Sequence, residues 1–353
     1  MKKTKQMKVN SHKQSGLTLV ELMVAMVISL LLIAGTITIF ASNKQAYRLN
    51  EASSRVQESG RFALDFMRGD IRMAGFLGCV GPSKTAKFNN NIDTAKYNTI
   101  VGKSDIQSAI ASYDGTGSLV GFDAVGAELT ALGLTTGTSE KNHLAGTDVI
   151  MVKSAGGCPG GKVVTPKNNA NFKIEDNSTC NIQQNDIVLV SNCSGGDFFG
   201  VTSNPATSGS AALSATLATG SNINLDNHVS GNYGTDAEIF KFQTIVYYIG
   251  AGASGAPSLF KRSIVNGSFA SQEMVENVED MTIQYGVDSS GNGSPNFYVL
   301  AGAVTATNWP NVVSVRITID VRSESQNVVQ STANADKRLR HSFTETIKIR
   351  NRL

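Results

Sequence analysis

The chain has 353 residues, enough for one or two domains with cores of their own, and its low charged fraction of 17% with 34 glycines points to a β-rich, loop-rich body rather than a helical bundle. Its net charge of +3 is set by the N-terminus, where Lys2, Lys3, Lys5, Lys8 and Lys13 precede Gly16 with no acid among them. Beyond residue 16 the 31 basic side chains fall to 26 against 28 acidic ones, about −2, so the remainder has no global attraction for nucleic acid.

Leu22 to Ala41 is a run of 20 residues without a charge, interrupted only by Ser29, Gly35, Thr36 and Thr38. As a helix it spans ~30 Å, the thickness of a bilayer core. Its hydroxyls can bond back to the helix backbone, so they do not disqualify it. The lysines before it place the N-terminus on the cytoplasmic side and the body outside. A cleaved secretory signal ending near Ala41 fits poorly, because such apolar regions run to about 7–15 residues. A plain anchor leaves Glu21 unexplained, since a carboxylate near the bilayer core costs several kcal/mol unless it is paired. Cutting after Gly16 would supply a partner, the new α-amine of Leu17 on the same or a neighbouring chain.

Residues 42–74 are polar but compatible with helix. Leu49, Ala52, Val56, Ala63, Phe66 or Met67, and Ala74 recur at spacings that make one apolar stripe, read as a face packed on a sheet. Glu51 and Arg55 form a favourable i,i+4 pair. Gly60 and Gly69 each cost ~1 kcal/mol in a helix interior, so a bend or early end is expected near them. An unbroken helix from Leu17 to Ala74 would be roughly 87 Å long. Arg68, Asp70 and Arg72 read as the solvated face of its last turn rather than a catalytic cluster.

Residues 80–145 read as long loops with short strands. Asp148–Lys153 and Asp186–Val190 are strands, with another near Phe198–Val201. The Ala/Ser/Thr/Gly/Asn-rich stretch 203–235 reads as a loop. Further strands are expected at Glu238–Ile249 and Leu259–Ile264, and Met274–Gly286 reads as a short helical turn feeding a strand. Asp288–Gly293 faintly resembles a calcium loop but has Val299 where the closing Glu belongs, so it is read as a hairpin loop and no metal site is assigned. Val313, Val315, Ile317, Ile319 and Val321 alternate with polar residues, as do the residues of Phe343–Ile349, and the two strands are expected to be neighbours. Lys337, Arg338, Arg340 and His341 read as a solvated basic turn between them; without interleaved aromatics, contact with DNA is the weaker reading.

Cys79, Cys158, Cys180 and Cys193 all lie in the exported body, where an even number without metal spacing predicts two disulfides. Four cysteines allow three pairings. If strands 149–153 and 186–190 pair antiparallel, Cys158 and Cys180 meet at one end, leaving Cys79 for Cys193. His12 lies in the leader, and His143, His228 and His341 stand isolated in polar loops. With no recognisable catalytic or cofactor motif, neither an enzyme nor a cofactor is expected.

Gly16-Leu17-Thr18-Leu19-Val20-Glu21-Leu22 after a basic leader resembles the prepilin signal of type IV pilins and type II secretion pseudopilins. The resemblance implies cleavage between Gly16 and Leu17, N-methylation of Leu17, and a subunit-pairing role for Glu21; the family's usual first mature residue is Phe, and here it is Leu. The segment Arg72-Met73-Ala74-Gly75 followed by Gly78-Cys79, and Val275–Gly286, resemble PilW-type minor pilins. The implied fold is α+β, a long N-terminal helix packed on an antiparallel sheet body with long loops. Its parts would be a leader (1–16), a transmembrane and assembly half of the stem (17–41), an amphipathic half (42–76) and a β-rich head (77–353). The implied function is a minor pilin in a tip complex that primes pilus assembly. Its implied partners are other minor pilins, the major pilin, an inner-membrane assembly platform, the prepilin peptidase and a PilY-family tip adhesin. The head would lie in the periplasm and later at the pilus tip. A J-type pseudopilin and a membrane-anchored periplasmic binding protein are the alternatives, and DNA uptake stays open.

Overall fold

The computed structural model describes residues 16, 18–78, 87–93, 119–122, 134–156, 158, 161–168, 171–215, 223–265, 268–305, 308–329 and 334–350. One helix, α1 (Leu19–Arg72), runs for 54 residues or ~81 Å. It passes unbroken through Gly60 and Gly69, against the bend expected there. Fifteen strands follow among the described residues: β1 (Lys87–Asn90), β2 (Leu119–Phe122), β3 (Val149–Gly156), β4 (Val163–Asn168), β5 (Asn171–Ile174), β6 (Ile187–Asn192), β7 (Gly195–Gly200), β8 (Ala211–Ser214), β9 (Glu238–Ala251), β10 (Pro257–Val265), β11 (Ser268–Glu276), β12 (Val278–Val287), β13 (Phe297–Leu300), β14 (Val312–Arg322) and β15 (Arg340–Lys348). The architecture is the expected α+β.

A large sheet has the order β1-β7-β6-β9-β10-β11, with β3 also on β9 and β2 on β3. A second sheet runs β13-β12-β14-β15 and a third β4-β5-β8. The helix, the second sheet and part of the large sheet share one core, in which Val56, Ala63, Met67 and Ile71 meet Ile150, Tyr247, Ile283, Ile317 and Ile347. Strand β14 alternates as expected, with Val315, Ile317, Ile319 and Val321 buried. It pairs antiparallel with β15 from Ser314–Lys348 to Arg322–Arg340.

Several expectations are corrected. Strands β3 and β6 do not pair; each is antiparallel to β9, which lies between them with Lys241 opposite both Gly156 and Val188. Both strands are buried on two faces: Ile150 and Val152 enter the core under the helix, while Val149 and Met151 enter another. Continuous apolar runs such as these reveal a strand but not its neighbour. The stretch read as a loop at 203–235 contains β8, which completes the third sheet on β5. In place of a helical turn near 274–281, β11 passes into β12 at Asn277, whose φ of 64° is one that asparagine tolerates. This sharp bend carries the chain from the large sheet to the second.

The disulfide Cys158–Cys180 is present, with Cα atoms 4.9 Å apart. Its cause differs from the expected strand pair. Strands β4 and β5 form a hairpin, and the bridge joins the segments entering and leaving it. Cys193 is also disulfide-bonded, and its expected partner, Cys79, lies outside the described residues.

His143 is fully buried rather than set in a polar loop, and His341 lies on β15 against Phe343. The His143 Nε2 sits 2.9 Å from the Thr147 carbonyl, and its buried Nδ1 has no partner among the described residues. Burial pushes its pKa below the ordinary 6.5, against the opposing pull of that carbonyl. The unfolded chain therefore takes up a proton first as pH falls. Stability is expected to be level above about pH 6.5 and to decline below it. Unfolding titrations between about pH 5 and 7 should show a smaller slope for His143→Gln.

Glycine substitutions in α1 test its packing in opposite directions. A Cβ at Gly60 would lie 2.4 Å from the Phe343 ring, whereas one at Gly69 meets nothing within 4 Å. In thermal unfolding, Gly69→Ala should stabilise by about 1 kcal/mol, the propensity gain of an open helix site. Gly60→Ala should destabilise by about 1–3 kcal/mol through overpacking despite the same gain.

Candidate assembly site

The exposed half of α1 begins at a capping box. Thr18 is the N-cap, with φ −77° and ψ 151°, and its Oγ1 accepts a bond from the Glu21 amide at 3.3 Å. The Glu21 Oε2 accepts from the Thr18 amide and hydroxyl, each at 2.9 Å. The pattern Thr-x-x-Glu satisfies two amides that a helix start leaves without partners. This local role of Glu21 did not enter the sequence reading, although the spacing was visible. Glu21 Oε1 has no partner among the described residues, leaving an oxygen that a cation on another chain could meet. Gly16 is exposed, and Leu17 lies outside the described residues.

From Thr18 to Lys44 every residue is exposed, including Leu30, Leu31, Ile37 and Phe40. This part is long and apolar enough to cross a membrane. Its hydroxyls bond back to the helix, Ser29 to the Ala25 carbonyl at 2.7 Å and Thr38 to the Ala34 carbonyl at 2.8 Å. It therefore presents little unsatisfied polarity to lipid.

The outer half of α1 holds the head. Ala52, Val56, Gly60, Ala63, Leu64, Met67 and Ile71 are its buried stripe, with Met67 rather than Phe66 as the inward member of that pair, while Leu49, expected in the stripe, is exposed. Gly60 permits close approach of Phe343, a contact that sequence reasoning missed because the two lie far apart in the chain. Its position on the buried face, four residues after Val56, was the available signal.

Polar contacts fix the helix along its length. Arg68 grips Glu345 through Nε at 2.5 Å and a second nitrogen at 2.9 Å, a two-point geometry. Lys261 Nζ lies 2.7 Å from Asp70 Oδ2, which also accepts from the Tyr247 hydroxyl. Burial, reinforced by the Asp70 charge, pushes the Tyr247 pKa well up and keeps the phenol a donor. Arg68 and Asp70 thus tie the helix end to the sheets instead of forming a solvated face. Arg72 remains exposed, and its carbonyl accepts from the Arg350 amide at 3.1 Å. The expected Glu51–Arg55 pair forms at 3.0 Å, and Arg55 also reaches Glu324 at 3.1 Å. Nearest the apolar half, Gln45 Nε2 donates to the Val328 carbonyl at 2.6 Å.

Two of the four residues read as a solvated basic turn are committed to acids. Arg340 pairs with Glu279 at 2.6 Å and Asp336 at 2.7 Å, and Arg338 lies 3.5 Å from Asp336, while Arg322 of β14 also reaches Glu279 at 3.0 Å. Burial would raise the Glu279 carboxyl, but bonds from Arg340 and Arg322 outweigh it and hold its pKa below the ordinary value. Asp288 organises the loop once compared with a calcium site, accepting amides from Ser290, Gly291 and Gly293.

Comparison with known proteins places matches at both ends of this arrangement. Residues 246–351 match the family described as type IV pilus-assembly protein W, and residues 11–37 match the prokaryotic N-terminal methylation motif. No curated protein and no solved structure matches the chain. The first match contains β11, β14 and β15, which lie against the helix; the second contains the capping box and much of the exposed apolar segment.

Proposed function

Because this chain is a PilW-type type IV pilin, we propose that it is a minor pilin that helps initiate pilus assembly within a priming complex at the tip. Membership implies interaction with other pilus components generally. On this reading the partners are other minor pilins, the major pilin, the assembly platform and a PilY-family tip adhesin, and the supported activities are twitching motility and adhesion. The contribution is structural rather than catalytic. The protein waits in the inner membrane with its head in the periplasm and then moves to the pilus tip.

The observation that carries the reading is the division of α1. One half is consumed by the head, while the other, from Thr18 to Lys44, is wholly exposed and apolar. Such a surface needs lipid or other helices around it. Prepilin peptidase cleaves between Gly16 and Leu17 and the new amine is methylated. Glu21 then pairs with the Leu17 amine of a neighbouring subunit, which offsets the cost of a carboxylate in an apolar bundle.

The capping box shapes the test. Glutamine can take the place of glutamate in such a box but carries no charge. Pairing through charge predicts that Glu21→Gln and Glu21→Ala both lower incorporation into pili and pilus number, with membrane levels unchanged. Normal piliation in Glu21→Gln with loss in Glu21→Ala would reduce Glu21 to a helix cap and overturn the pairing.

A further inference from the structure

Just beyond the apolar segment, the head comes down to meet the helix. Gln45 donates to the Val328 carbonyl at 2.6 Å and Arg48 to the Gln326 carbonyl at 3.3 Å. The Val328 amide in turn donates to the Lys337 carbonyl at 2.9 Å, which brings Lys337 to the same level. From Ala41, the last residue of the apolar run, to Arg48 the helix rises ~10 Å. A bilayer's polar layer on one side of the hydrocarbon core is about 5–8 Å thick. Lys44 and Gln45 thus lie within that layer when the apolar half spans a membrane, and the side chains of Tyr47 and Arg48, which slant back toward the helix N-terminus, reach down into it from just above.

The side chains at this level match that environment. Tyr47 is 71% exposed, an amphipathic ring where membrane proteins concentrate Tyr and Trp. Lys44, Arg48 and Lys337 are exposed, and among the described residues none is in an ion pair. The nearby acids are already engaged: Asp336 by Arg340 at 2.7 Å, and Glu51 and Glu324 by Arg55 at 3.0 and 3.1 Å. The result is a belt of three cations with no committed counter-charge. It crosses two chain segments that only the fold brings together.

We infer that Lys44, Arg48 and Lys337, with Tyr47, form a footing on which the head rests against anionic phospholipid headgroups. The inference rests on the membrane-anchored reading given above and deepens it. The headgroup phosphate supplies the counter-charge to the cations, and the Tyr47 ring lies at the boundary of the hydrocarbon. The same contacts must break when the stem leaves the bilayer, so the lipid composition of the outward-facing leaflet sets part of the resistance to extraction.

The test uses the full chain in nanodiscs, with a spin label on Gln326→Cys and a water-soluble nickel chelate as the collision probe. In phosphatidylcholine mixed with phosphatidylglycerol the label should be shielded from nickel relative to phosphatidylcholine alone. Lys44→Gln combined with Arg48→Gln and Lys337→Gln should abolish the difference. Raised salt should weaken it in the unaltered footing, as screening requires. Equal nickel access in both lipids, with the chain still resistant to carbonate extraction, would overturn the footing and leave the anchor standing. Extraction by carbonate would overturn the anchored reading and the footing together. Shielding that appears only when another pilin subunit is added, whatever the lipid, would assign the cations to a protein partner and overturn the lipid contact.

Discussion

The approach of Phe343 to Gly60 is the contact on which the arrangement depends. It lets strand β15 lie against the helix with only a hydrogen where a side chain would otherwise stand. Around it, small residues such as Ala52 and Ala63 alternate along the stripe with Val56, Met67 and Ile71, and the second sheet supplies the opposing branched side chains. The ion pairs from Arg68 and Asp70 then fix the rotation and axial position of a helix that packing alone would leave free to slide. Such pairs act by register more than by energy, since exposed pairs contribute little to stability.

This fixed register gives the other half of the helix its meaning. Among the described residues the head commits the helix as far down as Gln45, and the segment between Glu21 and Ala41 keeps its whole circumference for lipid or for other helices. The two halves answer to different solvents. Where they meet, a tyrosine and three cations occupy the height of a headgroup layer. On this plan the upper part of the rod is packed in the head, while its lower part exchanges one apolar environment for another during the proposed assembly.

The parts legible in the sequence were those with a local period. The membrane-length run, the outer stripe and the alternation of β14 follow from spacings of a few residues, and they hold in the structure. What stayed hidden depended on partners far along the chain. Gly60 looked like a cost to the helix because Phe343 is not near it in sequence. Strands β3 and β6 were recognisable, yet burial on both faces removed the alternation that orients a strand, and the intervening β9 could not be foreseen. The bridge between Cys158 and Cys180 was reached from a strand pair that does not exist, because both cysteines flank a hairpin whose strands have weak patterns. Asn277 illustrates another limit, since Val275, Val278 and Met281 have the spacing of a helix although one left-handed residue divides them between two strands. At Glu21 the signal was local and still passed over: the Thr18-x-x-Glu21 cap was visible, but the cost of a charge in lipid drew the explanation toward other chains.

The proposed subunit contact requires a stem released by a cut just before its cap. The most direct measurement is the intact mass and N-terminal sequence of the protein purified from membranes. The expected result is a chain that begins at Leu17 with a methylated α-amine. A chain that keeps Met1 and the leader, or one that begins at Ser42 without the apolar half, would contradict it.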